Sequence, residues 1–134
     1  MPLLINKRER EGIRIYDLKG RLIAGEEAAA FRKILDELSL LKESKAILNL
    51  QEVAYIDSTG LGALVMAATE LKKSAGTTKL LHVNRRNIEL LVLTKIDTMF
   101  EVFDDEVEAV NSFFPGREIR KFDILSFVQS LKEE

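Results

Sequence analysis

The stretch Ala46-Ile47-Leu48-Asn49-Leu50-Gln51-Glu52-Val53-Ala54-Tyr55-Ile56-Asp57-Ser58-Thr59-Gly60-Leu61-Gly62 decides the fold. Its first five residues form an apolar run broken only by Asn49, which predicts a strand covered on both faces, as in a parallel sheet. A second apolar stretch, residues 53–56, leads into Asp57-Ser58-Thr59-Gly60. Leu61, Leu64, Val65, Ala68 and Leu71 then recur at helical spacing on one stripe. Lys72 and Lys73 fall in the last turn of that helix, and Gly76 follows as its stop. A buried strand feeding a helix through a polar turn is the building unit of an α/β domain.

The pattern continues on both sides. Residues 3–10 and 12–18 read as two strands joined by a tight turn at Glu11-Gly12, with Ile13 and Ile15 alternating with Arg14 and Tyr16. Gly20 breaks this run before Leu22-Ile23-Ala24. Residues 26–41 read as a helix, with Phe31, Ile34, Leu35, Leu38 and Leu41 on the apolar stripe. Glu26 and Glu27 sit at its positive end. Residues 79–83 form the next strand, Asn84 caps a third helix carrying Ile88, Leu91 and Val92, and residues 100–103 form a short strand. Asp104 caps a fourth helix with Val107, Val110 and Phe113, ended by Pro115-Gly116. Asp123 opens a fifth, with Ile124, Phe127, Val128 and Leu131 as its stripe. The opening hairpin adds an antiparallel edge to a largely parallel sheet.

Composition bounds the function. The 134 residues fit one domain with a core of ordinary size. A hydrophobic fraction of 46% with 31% charged residues marks a globular chain. The net charge of -2 supplies no global positive field for nucleic acid or anionic lipid. With no cysteine, disulfides, thiolate metal sites and cysteine catalysis are excluded, and a reducing compartment is expected. No apolar run is long enough for membrane insertion. In residues 1–8 apolar side chains precede the charges, the reverse of a signal peptide, so a cytoplasmic protein is expected.

Asp57-Ser58-Thr59-Gly60-Leu61-Gly62 lies at a helix start, where Asp57 and Ser58 both qualify as N-cap. Two glycines in one helical turn each cost about 1 kcal/mol relative to alanine and need a reason. Close packing of helix on sheet is one; a smooth docking face around an exposed hydroxyl is the other, and spacing alone favours the packing. The turn is neither a Gly-x-Ser-x-Gly elbow nor a Walker loop, and Val65 breaks the dinucleotide fingerprint begun by Gly60 and Gly62. The single histidine, His82, is expected on a strand in a structural role, without a second histidine for a metal pair. Asp104-Asp105-Glu106 reads as helix-start chemistry rather than a metal site, and Arg85-Arg86 as a solvated pair ahead of a contact for an anion or an acidic partner. No catalytic residue, metal or cofactor is expected.

The hexapeptide and its surroundings resemble the STAS domain family, in particular the bacterial anti-sigma factor antagonists. The resemblance runs over about residues 3–114, through Gly20-Arg21-Leu22, Ala46-Ile47-Leu48-Asn49-Leu50, Tyr55 to Gly62, Lys79-Leu80-Leu81-His82-Val83, Leu93-Thr94-Lys95-Ile96-Asp97, Phe100-Glu101-Val102-Phe103 and Asp105-Glu106 to Val110. It implies a mixed, largely parallel sheet with an N-terminal antiparallel strand and helices mainly on one face. Residues 1–114 would be the STAS domain and 115–134 a C-terminal helical extension packing on that domain or on a second copy in a homodimer. It departs from the family at Lys95-Ile96-Asp97, where a glycine is usual near the end of the third helix.

The resemblance also implies a function. In these antagonists the serine after the aspartate is phosphorylated by an anti-sigma factor that is also a serine kinase, which maps onto Ser58, with Thr59 as the neighbouring alternative. Asp57, Ser58, Thr59, Gly60, Leu61 and Gly62 would form the partner-binding face. The unphosphorylated form would hold the anti-sigma factor and free the sigma factor, and a metal-dependent serine phosphatase would reset the switch. The competing expectation is a constitutive STAS subunit of a signalling or lipid-transport assembly, in which Ser58 is only a helix cap.

Overall fold

A computed structural model describes residues 2–119 and 121–133. Strands β1 (Leu4–Arg10) and β2 (Ile13–Leu22) form an antiparallel hairpin. Glu11 and Gly12 between them both take positive φ, 52° and 82°, as a two-residue loop matched to strand twist requires. β2 does not stop at Gly20: it runs on to Leu22, absorbing register shifts on either side of that glycine, whose φ is 125°. Next come α1 (Glu26–Ser39), β3 (Lys45–Ile56), α2 (Ser58–Lys73), β4 (Thr77–Leu81) and α3 (Arg85–Leu93). A 3-10 turn (Ile96–Met99), β5 (Val102–Phe103), α4 (Glu106–Asn111) and α5 (Ile124–Glu133) complete the chain.

The five strands lie in the order β1-β2-β3-β4-β5, all parallel after the first pair. Alternation along β2 divides the core. Tyr16 and Leu18 face α1, α2 and α3 through Phe31, Leu35, Leu38, Leu64, Leu71 and Ile88. Ile13 and Ile15 face the other side, where Ala109 and Val110 of α4 cover Ile47, Leu81 and Phe103. Each buried large apolar side chain contributes roughly 1.5–3 kcal/mol. Arg8 reinforces the smaller side by binding both Asp17 and Glu106, which ties the hairpin to α4. The Arg8 guanidinium holds the Asp17 carboxyl down at about 2.

Several element boundaries differ from the sequence reading. The two apolar stretches of residues 46–56 are one strand, because β3 pairs with β2 as far as Ile56 while β4 accompanies it only to Asn49. α1 ends before Leu41, which is exposed. β4 ends before His82, which turns the chain with φ 53° and donates its N–H to Phe103 O at 2.8 Å. Asp105 caps α4 rather than Asp104, accepting from the Glu108 N–H at 3.0 Å. Val107 consequently faces solvent and Ala109 the core.

At the end of α2 the left-handed residue is Ala75, φ 60°, not Gly76. Gly76 is required for room: a Cβ there would lie 2.7 Å from Ser44 Oγ and 2.9 Å from Leu71 O. Lys95, just after α3, takes φ 61°.

Beyond α4 the chain crosses from one face of the sheet to the other. Arg117 stacks on Phe114 at 4.0 Å and pairs with Glu11. Lys121 pairs with Glu101 at 2.9 Å, and the Phe122 N–H donates to Val102 O at 3.0 Å. Phe122, Ile124 and Phe127 then pack against the larger core.

Candidate functional site

The candidate site is the turn from β3 into α2. Asp57 is the N-cap: its Oδ1 accepts from the Gly60 N–H at 2.8 Å. Its Oδ2 accepts from the Ala24 N–H at 2.9 Å, and its own N–H donates to Leu22 O at 3.2 Å. The carboxylate therefore bolts the start of α2 to the loop between β2 and α1. The N–H groups of Ala24 and then Gly60 hold the Asp57 carboxyl below the usual carboxylate range, since each favours its charged form.

With Asp57 filling the cap, Ser58 does not. Ser58 is the first residue of α2, it is exposed, and no described residue hydrogen-bonds to its hydroxyl. Thr59 is exposed beside it. The positive end of a 16-residue helix thus presents a free hydroxyl, where added negative charge is favoured.

The two glycines separate cleanly. A Cβ on Gly60 would lie 2.0 Å from Leu22 O and 3.0 Å from Ile56 Cγ2, so this glycine lets helix and strand meet. A Cβ on Gly62 would meet nothing within 4 Å, and Gly62 is exposed. Packing explains the first and leaves the second as open surface. Leu61 turns toward the core. Of the hexapeptide, Ser58, Thr59 and Gly62 form the outer surface, while Asp57, Gly60 and Leu61 hold it in place.

Reasoning from sequence missed three contributors: Ala24, which anchors Asp57 through its backbone, and Tyr55 and Arg86. The Arg86 guanidinium stacks on the exposed Tyr55 ring at 4.8 Å. Backbone donors carry no side-chain signature, and the Arg86 contact depends on α3 lying beside the end of β3. Asn84 caps α3, accepting from the Asn87 N–H at 3.0 Å and donating to Val53 O at 2.9 Å. Among the described residues no group of three or more His, Cys, Asp or Glu side chains is arranged to hold a metal. Among the described residues no helix is long and apolar enough to cross a membrane.

A model of the STAS domain family matches residues 5–109, and the chain belongs to that family. The fold is similar to that of Thermotoga maritima TM1081, 23% identical over 81% of this chain and 92% of that one, with a TM-score of 0.74. It is similar to the Bacillus anti-sigma factor antagonist SpoIIAA, known in unphosphorylated and phosphorylated forms. The unphosphorylated form is 20% identical over 84% of this chain and 98% of that one, with a TM-score of 0.58. It is also similar to part of the murine anion transporter Slc26a9, 17% identical over 77% of this chain and 18% of that one, with a TM-score of 0.65.

Proposed function

We propose that this chain is an anti-sigma factor antagonist of the cytoplasm whose switch is Ser58. The observation that carries the reading is the division of labour at the turn: Asp57 is fully engaged inward, and the Ser58 hydroxyl stands exposed at the positive end of α2. The family and the similarity to SpoIIAA in both phosphorylation states support the same role. Unphosphorylated, the surface of Ser58, Thr59 and Gly62 seats an anti-sigma factor that is also a serine kinase. A glycine at 62 keeps that surface low.

Phosphorylation adds a charge of about -1.5 to -2. The α2 N-terminus favours that charge, so the domain stays folded. The solvated phosphate must lose its water at the interface, and binding fails there instead. ATP is consumed by the kinase and not by this chain, and a metal-dependent phosphatase restores the hydroxyl.

The test is incubation with the anti-sigma factor kinase, ATP and magnesium, read by intact mass and site mapping, with calorimetry of Ser58→Ala and Ser58→Asp against the same partner. One phosphate on Ser58 is expected. Ser58→Ala should bind without being phosphorylated, and Ser58→Asp should bind weakly with an unchanged circular dichroism spectrum. Equal affinity of wild type and Ser58→Asp, with phosphate on Thr59 or nowhere, would instead favour a constitutive STAS subunit, the arrangement to which the likeness to part of Slc26a9 points.

A further inference from the structure

Two hollows adjoin on α3, and Leu93 lines both. The first, about 310 Å³, is bounded by Tyr55, Ile56, Arg86, Asn87 and Leu90 besides Leu93. Ile56 directly precedes Asp57, so this hollow opens beside the Ser58 turn. The second, about 260 Å³, lies between α3 and α5, with Glu89, Val92 and Leu93 on one wall and Val128, Leu131 and Lys132 on the other. Leu93, which joins them, is 81% exposed.

We infer that the two hollows are one docking groove for the same anti-sigma factor that reads Ser58, and that the C-terminal tail thereby sets partner choice. This rests on the function proposed above. The occupant is an apolar ridge of that partner, the outward stripe of an amphipathic helix, flanked by acidic side chains. Continuity is the first argument: Tyr55 and Ile56, which line the first hollow, end the strand that leads straight into the Asp57-Ser58 turn. Charge is the second. Arg86, stacked on Tyr55, lines the first hollow, and exposed Lys132 lines the second together with Glu89, whose carboxylate is paired with Arg85, which leaves Arg86 and Lys132 to meet carboxylates of the partner. Origin is the third. The STAS match ends at residue 109, whereas the second hollow takes a wall from Val128 and Leu131. A STAS domain without this tail would offer only the first hollow, so a partner that fills both distinguishes this chain from others of its family.

The experiment uses the full chain and the purified anti-sigma factor, by calorimetry, with Ser58→Asp run in parallel. Leu93→Asp should weaken binding roughly tenfold or more, as burying a charge in an apolar contact requires. Val128→Glu should weaken it in the same direction while leaving phosphorylation of Ser58 by saturating kinase intact. Leu40→Asp, at another exposed leucine at the far end of α1, should change nothing. Circular dichroism and melting temperature confirm that each variant is folded. If Ser58→Asp weakens binding but Leu93→Asp and Val128→Glu bind as wild type does, the groove is overturned and the Ser58 reading stands. If wild type binds no anti-sigma factor, both fall. If Leu93→Asp leaves the affinity unchanged and converts a dimer to a monomer in sedimentation velocity, the groove belongs to a second copy and the inference is wrong.

Discussion

The turns that open α2 and α3 have the same design and opposite chemistry. Both leave a parallel strand, and both are capped by a side-chain oxygen that accepts from the N–H three residues on. At α2 the second function of the cap faces a donor, the Ala24 N–H, so the residue must offer two acceptors, and it is Asp57. At α3 the second function faces an acceptor, Val53 O, so the residue must donate as well as accept, and it is Asn84. The next residues follow suit. α2 opens on an uncharged serine in open surface, and α3 on Arg85 and Arg86. Of these two turns only the first places a hydroxyl at the first helical position, although both have a helix dipole. A helix N-terminus becomes a switch through what its cap and its first residues leave unfilled, and the dipole alone does not decide it.

This contrast can be attacked at several points. The largest effect is expected from Gly60→Ala, whose methyl would sit against the backbone of Leu22 rather than a yielding side chain. A loss of about 3 kcal/mol or more, or failure to fold, should appear in urea denaturation. Near-wild-type stability would mean that α2 can lift from β2 and that the close approach is not structural.

Next in size is truncation after Gly116. It removes Phe122 and Phe127 from the core and Lys121, one of the two cations paired with Glu101, so the melting temperature should fall. Hydrogen exchange should rise in α3, against which α5 rests, and stay low in the first turn of α2. Equal loosening of both turns would show that the tail supports the whole sheet.

Smaller effects are expected from exchanging the caps. Asn84→Asp sets a carboxylate oxygen against Val53 O and should cost about 1–3 kcal/mol. Asp57→Asn keeps an acceptor for Gly60 but turns an amide donor toward the Ala24 N–H. Its acid behaviour is the sharper readout. The folded-state pKa of Asp57 is depressed, so its stabilisation is complete above the ordinary aspartate value and disappears as pH falls through the depressed one. Wild type should therefore lose stability below about pH 4 more steeply than Asp57→Asn. Parallel acid curves for the two would detach the carboxylate from the turn.

The smallest effect on stability belongs to Gly62→Ala. With nothing near its Cβ, it should be neutral or stabilise by up to about 1 kcal/mol through helix propensity. Weaker binding of the anti-sigma factor at unchanged or higher stability would identify Gly62 as kept for the surface.

How much of this was legible in advance follows from where each signal lies. The strand and helix order, the hairpin at Glu11-Gly12 and the cap Asn84 were readable because local residues set them. The turn at Asp57 was recognisable, yet Asp57 and Ser58 qualified equally as cap, since the deciding donor, Ala24, comes from another part of the chain. The roles of Gly60 and Gly62 were indistinguishable for the same reason: only Leu22 tells them apart. The stripe of α2 was read as Leu61, Leu64, Val65, Ala68 and Leu71, whereas the fully buried face is Gly60, Ala63, Leu64, Ala67 and Leu71. Hydropathy follows side-chain size, and a helix pressed closely onto a sheet buries its smallest residues. Val128 and Leu131 were legible as the stripe of α5, whereas nothing local told that they face α3.

The short path of the tail past β5 has a consequence for the behaviour of the protein in concentrated solution. A sheet has two rims, and an unfinished rim invites another chain to add to it. At one rim β1 reads Leu4-Ile5-Asn6-Lys7-Arg8-Glu9-Arg10, mostly polar and charged toward its end, which discourages such pairing. At the other, β5 is only two residues long, and one of its two carbonyls is already occupied by the Phe122 N–H. The tail thus acts as a selvedge, a finished border that keeps the weave of the sheet from being extended by a neighbour. A chain clipped ahead of Phe122 would expose that border, and slow aggregation on storage would follow even where the remaining domain kept its native shape.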